Sequence, residues 1–231
     1  FFGNVVLLPL WLQQFMGYTA TQAGMVMAPV GLLALVLSPV VGKNIGRVDP
    51  RYFATFAFLI FALVLWMRSM FNTQADIATI MVPTIIQGVA MAFFFIPLVT
   101  ITLSGLPPER IPAASGLSNF VRITAGAVGT SVATTVWENR AALHHAQLVE
   151  SITLGNPVAS SALSGLTASG IDPQQALAQV NRLVDQQAFM LAANDVFYVS
   201  ALLFLLLIPL IWLTQPPKAA TGSADAAAGA H

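Results

Sequence analysis

Six apolar stretches, separated by short polar turns and by one polar segment of about fifty residues, set the pattern of this chain. A helix needs roughly 17 to 25 mostly apolar residues to cross a hydrocarbon core about 30 Å thick. The pattern predicts six membrane spans, at 1–16, 22–41, 52–67, 77–103, 113–136 and 188–213. The second is entered through the turn-like GYTAT stretch, with Thr21 as its N-cap. The third opens at Tyr52 and carries Trp66 near its end, as aromatic belts do at the two membrane surfaces. Pro83 and Pro97 lie inside the fourth and Pro209 near the end of the sixth, positions a spanning helix tolerates when neighbours satisfy the freed carbonyls.

The fifth span has two unlike sides. Leu117, Val121, Val128, Val132 and Val136 fall on one stripe at helical spacing, whereas Ser115, Asn119, Arg122, Gly126, Gly129 and Ala133 fall on the other. The first suits lipid or apolar neighbours. The second suits a close-packed or wet interior, and Gly126 and Gly129 let a second helix backbone approach.

The polar segment before the last span has helical features of its own. Trp137, Ala141, His144 and Leu148 recur at helical spacing and extend span five beyond the bilayer. Asn156-Pro157 and Ser169-Gly170 punctuate the chain, and Asp172-Pro173 with Gln175 resembles an N-cap, a proline at N1 and a capping-box partner. A short amphipathic helix with Leu177, Val180 and Val184 on one face then leads into span six. The predicted organisation is therefore 1–136 for spans one to five, 137–187 for an outward segment with short helices, 188–214 for the last span and 215–231 for a low-complexity, disordered tail. Lys43, Arg47, Arg51, Arg110 and Lys218 fall on one side of this arrangement, which makes that side cytoplasmic and turns the fifty-residue segment outward.

Composition agrees with a multi-pass membrane protein. The chain is 57% hydrophobic and 8% charged, with a mean hydropathy of +0.78, against about 25% charged residues in soluble domains. Nine basic and nine acidic residues balance, so nothing points to nucleic acid. Without cysteine there are no disulfides and no thiolate metal sites. His144 and His145, with Glu138 and Glu150 nearby, do not make a metal site, because adjacent histidines leave a helix in different directions. The spans contain no histidine, cysteine or paired carboxylates for an intramembrane enzyme, and no phosphate-binding loop or cofactor motif occurs. The chain starts at Phe1, already inside an apolar run, which predicts a fragment of a longer protein.

Arg122 is the main anomaly, since a cation in a span usually has a partner or lines a cavity. Asp195, an acid within span six, lies at a depth that differs from that of Arg122 by roughly 6 Å, close enough to pair. The pair can fix helix register, face substrate or take part in proton coupling. Gln13, Gln14, Gln87 and Asn119 are the further polar candidates for a substrate cavity, with Phe93, Phe94 and Phe95 supplying apolar walls. In the loop after span two, Gly42 and Gly46 allow a tight turn, and Arg47, Asp49 and Arg51 can clamp neighbouring helix ends.

The stretch 17–51 resembles a helix-pair signature of the major facilitator superfamily, whose loop has the form G-x-x-x-D-R-x-G-R-R: Gly42, Arg47 and Arg51 match it, while Gly46, Asp49 and Pro50 depart from it. A second block, PLVTITLSGLPPERIPAASGLSNFVRITAGAVGTS, followed by HHAQL and the PPK tail, is similar to the fourteen-span drug:proton antiporters of the EmrB/QacA family. That resemblance implies an all-α fold in which six transmembrane helices form the C-terminal half of the transporter, in the bacterial inner membrane. It also implies export of hydrophobic drugs and uncouplers driven by proton influx. The implied partners are the missing N-terminal half, a periplasmic membrane fusion adaptor and an outer-membrane channel. A fourteen-span facilitator for a metabolite or siderophore is the alternative.

Overall fold

A computed structural model describes residues 1–152 and 156–214. Its elements run α1 (Phe2–Gln14), α2 (Ala20–Asn44), α3 (Pro50–Arg68), α4 (Ile77–Leu103), a single 3-10 turn (Pro108–Arg110), α5 (Ile111–Ser151), α6 (Pro157–Ala168) and α7 (Pro173–Leu213), with no strand among the described residues. Four of these, α2, α3, α4 and α7, are long and apolar enough to cross a membrane by length and composition. Helix α1 and helix α5 fill the other two predicted span positions. The 13 residues of α1 measure only about 20 Å. The 41 residues of α5 are ample in length, but serines, threonines, glycines and Arg122 dilute their apolar character.

Several boundaries differ from the sequence expectation. Helix α2 begins at Ala20 and is capped by Thr19, not Thr21: the Gln22 N–H donates to Thr19 Oγ1 at 3.3 Å while the Thr19 N–H donates to Gln22 Oε1 at 2.9 Å. This reciprocal pair needs a threonine three residues before a glutamine, a spacing Thr21 does not have. The expected boundaries at 136/137 and 187/188 fall inside α5 and α7, which continue unbroken. No glycine or proline interrupts the chain between Gln174 and Ala188, and Asp172 already starts the helix by accepting the Gln174 N–H at 3.0 Å. Pro157 opens α6, and Gly170, with a φ of 85°, lets the chain turn away so that the Ile171 N–H reaches the Leu166 carbonyl at 3.3 Å. The tail expected to be disordered, 215–231, lies outside the described residues.

The chain forms two compact units, and α2, α3, α4, α5 and α7 each contribute to both. The first unit comprises 1–27, 65–81 and 125–200. Its core is built on the buried α1 residues Leu7, Leu8, Trp11 and Leu12. Phe15 stacks on Phe189 at 4.2 Å between ring centroids, and Trp137 meets both rings edge-on. Polar side chains of α7 close the ends of other helices. Gln186 Nε2 donates to the Phe15 carbonyl at 2.7 Å, and Asn194 Nδ2 donates to the Phe71 carbonyl at 2.9 Å. Carbonyls at helix ends lack an intrahelical donor, so these amides satisfy groups that lipid could not.

The second unit comprises 28–64, 82–124 and 201–231, with its tail beyond Thr214 undescribed. Phenylalanines dominate it. Phe61 packs on Phe204 at 5.1 Å and on Phe94 at 5.2 Å, while Phe58 touches both Phe94 and Phe204. At Gly88 a Cβ would stand 2.8 Å from the Leu33 Cβ and 3.0 Å from the Pro29 carbonyl oxygen, so α2 and α4 cross here at a distance only glycine permits. Away from the crossing, Leu32, Leu35, Val36 and Val40 of α2 are exposed.

Candidate functional site

The polar residues singled out from the sequence fall into several separate places. In the first unit, Asp195 of α7 is the centre of a charged cluster. Its Oδ2 accepts from Arg140 Nη2 at 2.6 Å and Nε at 2.8 Å, and lies 2.8 Å from His144 Nε2. The next histidine goes elsewhere: His145 Nε2 stands 3.3 Å from Asp185 Oδ1 and 3.2 Å from Asn181 Oδ1. Two adjacent histidines on α5 thus reach two different carboxylates of α7, as their divergent directions require. Among the described residues no group of acids and histidines is arranged to hold a metal.

Asp195 is therefore paired with Arg140 and His144, and no ion pair with Arg122, the partner expected from depth, occurs among the described residues. The depth argument used the boundaries at 136 and 188. By those limits Arg140 and Asp195 are offset by roughly 16 Å along their helices, farther than the two side chains span, yet they touch. Arg140 was not among the residues singled out from the sequence. Its periodicity held more: Arg140 follows Arg122 by 18 residues, which is about five helical turns, so the two share a face.

Arg122 lies in the second unit. Its Nη2 donates to Asn119 Oδ1 at 2.5 Å, and the guanidinium carbon stands 5.7 Å from the centre of the Phe95 ring. The cation thus lies over an aromatic face. Phe95 abuts Phe94 at 5.0 Å and through it joins the Phe58–Phe61–Phe204 cluster, while Phe93 contacts Phe53 and Phe56. Among the described residues Arg122 has no ion pair, and its side chain is exposed. Gln87 of α4 is buried, with 2% of its surface exposed. Gln13 and Gln14 are exposed near the end of α1, and Gln13 Nε2 returns to the Pro9 carbonyl at 3.1 Å.

Two of the three glycines of α5, Gly126 and Gly129, meet α1 in different ways. A Cβ at Gly126 would meet the Phe2 ring at 2.7 Å. Gly129 has open space at its own Cβ position, but its carbonyl oxygen would be 3.2 Å from a Cβ at Gly3, which would also be 2.5 Å from the Ala133 Cβ. Gly3, absent from the sequence reading, is thus the tightest glycine of the contact. In the loop after α2, Gly42 lies within the helix, and neither it nor Gly46 has a positive φ. Helix α2 continues to Asn44, whose Nδ2 donates to the Val40 carbonyl at 2.8 Å, and a turn at 45–47 with Gly46 at its middle follows, the Arg47 and Val48 N–H groups both donating to the Asn44 carbonyl at 3.0 and 3.1 Å. Asp49 Oδ1 accepts the Arg51 N–H at 2.9 Å and starts α3. Arg47 is exposed, whereas Arg51 is buried with 7% exposure, and neither forms an ion pair among the described residues.

Long apolar helices and glycine-tight crossings define an all-α, multi-pass membrane protein. The chain belongs to the Major Facilitator Superfamily, whose family profile matches residues 1–130. It is 45% identical over 232 residues to multidrug export protein EmrB of Escherichia coli, which covers 100% of this chain and 45% of that protein. It is 42% identical over 217 residues to fatty acid resistance protein FarB of Neisseria gonorrhoeae, covering 94% of this chain and 43% of that one. EmrB of Haemophilus influenzae is 41% identical over 218 residues, with 94% and 43% covered. The chain thus spans less than half the length of these relatives. It is an EmrB-like member of a family of transporters and a multi-pass protein of the bacterial inner membrane.

Proposed function

We propose that this chain forms the C-terminal half of a proton-driven exporter that moves hydrophobic drugs and uncouplers across the inner membrane, in concert with an N-terminal half outside this sequence. The observation that carries the reading is the half-buried run Phe93, Phe94 and Phe95 of α4, with Arg122 over Phe95 and the buried rings of Phe58, Phe61 and Phe204 packed behind it. A few polar groups beside broad aromatic walls suit poorly hydrated solutes, which gain from apolar contact and need little more than orientation. The relatives named as multidrug export and fatty acid resistance proteins support the same substrate chemistry.

In this reading Arg122, Asn119, Gln87, Gln13 and Gln14 belong to the cavity or the coupling path, and Asp195, held by Arg140 and His144, is the acid of the span region that can take part in proton exchange. A periplasmic adaptor and an outer-membrane channel complete the path. The stripe Trp137, Ala141, His144 and Leu148 is engaged within the chain: Trp137 is 2% exposed and donates through Nε1 to the Phe189 carbonyl at 3.0 Å. The exposed Leu143, Val149, Leu177 and Leu183 are the apolar residues left for such a contact.

The test is transport by the full-length protein in proteoliposomes that contain a pH-sensitive dye. Adding a hydrophobic drug should drive proton movement, and collapsing the pH gradient should abolish drug accumulation. Drug movement that ignores the gradient would sink the proton-driven reading. Unchanged coupling in Asp195→Asn would remove that residue from the mechanism.

A further inference from the structure

We propose that His144 is the proton-exchanging member of the cluster it forms with Arg140 and Asp195, and that Asp195 positions it; the proposal rests on the proton-driven reading and names the group that carries the proton. The HHAQL stretch supplies two adjacent histidines, and each presents Nε2 to α7. An ionised carboxylate only accepts hydrogen bonds. His144 Nε2, 2.8 Å from Asp195 Oδ2, therefore carries the ring hydrogen of the neutral imidazole, which leaves Nδ1 with the lone pair that binds a proton. Uptake is a single balanced step: hydronium gives its proton to Nδ1 and leaves as water, no other bond breaks, and release restores the neutral ring. The His144 side chain is 17% exposed, so water reaches it.

Charge decides between the two groups. Asp195 Oδ2 already accepts from Arg140 Nη2 at 2.6 Å and Nε at 2.8 Å, and a guanidinium does not give up its proton. The carboxylate is thus matched by a fixed cation, and imidazole is the side chain type that changes charge near neutral pH. With His144 neutral the cluster sums to zero; with His144 protonated it carries one positive charge. The charged groups that meet His144 are Asp195 from α7 and Arg140 from its own helix. Helices α1 and α6 contain no charged side chain, and Glu138, Glu150 and Arg182 form no ion pair among the described residues. Asp195 is the last charged residue of α7, followed directly by the largely apolar run 196–213. A unit charge gained or lost at the edge of that run biases conformations that expose the cluster differently. His145 is the internal contrast. Its Nε2 faces Asp185 Oδ1 at 3.3 Å and Asn181 Oδ1 at 3.2 Å, the amide being oriented by its own Nδ2 donation to Asp185 Oδ2 at 3.2 Å. Asp185 precedes Asp195 by ten residues, about 15 Å farther along α7 from the apolar run.

The full-length transporter provides the test in two arms. In nanodiscs, magnetic resonance of isotope-labelled histidine follows the ring from about pH 5 to about pH 9. The signal lost in His144→Gln, or in His144→Asn where the first variant does not fold, should show the Nε2–H tautomer when neutral and convert to the imidazolium within that range. An Nδ1–H tautomer, or a ring that keeps one protonation state throughout, overturns the proposal without any transport assay. In proteoliposomes with ethidium as the fluorescent drug, His144→Gln should lower accumulation driven by a pH gradient at least about ten-fold more than it lowers ethidium exchange without a gradient. His145→Gln should show no such split. Equal loss of both activities in His144→Gln marks a structural role and overturns the proposal. Gradient-driven accumulation that survives in His144→Gln overturns it while the proton-driven reading stands; accumulation by the native protein that ignores the gradient sinks that reading, and the proposal falls with it.

Discussion

Helix α5 puts two arginines on one face, five turns apart, and gives them opposite surroundings. Near its start Arg122 has a neutral amide and an aromatic ring, and the large residues around it, Leu117, Phe120, Val121 and Ile123, are more than half exposed. Beyond Val136 the same helix is tied to α7 by the Trp137 indole, the Arg140–Asp195 pair and the two histidines, with Trp137 and Ala141 buried. The face was set by periodicity and is common to both stretches. What differs is whether a neighbouring helix brings an acid within reach. An amphipathic pattern therefore identifies which way a cation points, and only the packing of the other helices decides whether its charge is met.

The largest expected effect tests whether the distal stretch of α5 is the anchored one. Trp137→Ala removes a buried indole, its ring contacts and its hydrogen bond to the Phe189 carbonyl, and should cost about 3–5 kcal/mol. Phe120→Ala, on the exposed stretch, should cost less than about 1 kcal/mol. Unfolding of the purified full-length transporter followed by a thermal shift assay measures both. A Phe120→Ala loss as large as that of Trp137→Ala would break the comparison, because it would mean that segments outside this chain pack on the exposed stretch as tightly as α7 packs on the distal one.

A smaller effect concerns which arginine Asp195 answers to. In a double-mutant cycle, Asp195→Asn and Arg140→Gln should show a coupling energy of about 0.5–2 kcal/mol. The two side chains are 37% and 43% exposed, so solvent screening keeps the figure modest. Asp195→Asn and Arg122→Gln should be additive within about 0.5 kcal/mol. Coupling of Asp195 to Arg122 in place of Arg140, in either the stability or the transport readout, would reverse the assignment and indicate that the pair exchanges partners during the transport cycle.

These two contrasts also mark what the sequence could disclose. The membrane class and the helix positions follow from hydropathy and spacing, and α4 begins and ends where its apolar run does. The family was legible too, because the loop form around Gly42 and the block through Arg122 are local motifs. The partners of Asp195 were not. Arg140 and His144 stand 55 and 51 residues away, and their encounter depends on α5 and α7 continuing past the expected membrane limits. Gly3 escaped for a similar reason: a lone glycine early in a helix has no signature until another backbone lies against it.

The smallest expected effect supplies a reference for the charged cluster. Asp76 precedes α4 and caps its first turn, accepting the Thr79 N–H at 2.9 Å and the Thr79 hydroxyl as well. These neutral donors, the hydroxyl first and the amide second, hold its carboxyl below the usual 3.8. Because the folded pKa is the lower one, the contribution to stability is complete above the unfolded value and is lost as the pH falls through the folded value. Asp76→Asn keeps a capping oxygen but removes the ionisation. The difference between the native protein and this variant should therefore be flat above pH 5 or so and shrink only in acid below about 3.8. It should also resist salt, because a capping hydrogen bond acts over a single contact. The Arg140–Asp195 coupling, carried by two partly exposed charges, should weaken as salt is raised. Equal salt sensitivity of the two carboxylates would mean that Asp195 is held by local hydrogen bonds more than by charge, and the contrast with the uncompensated Arg122 would then rest on geometry alone.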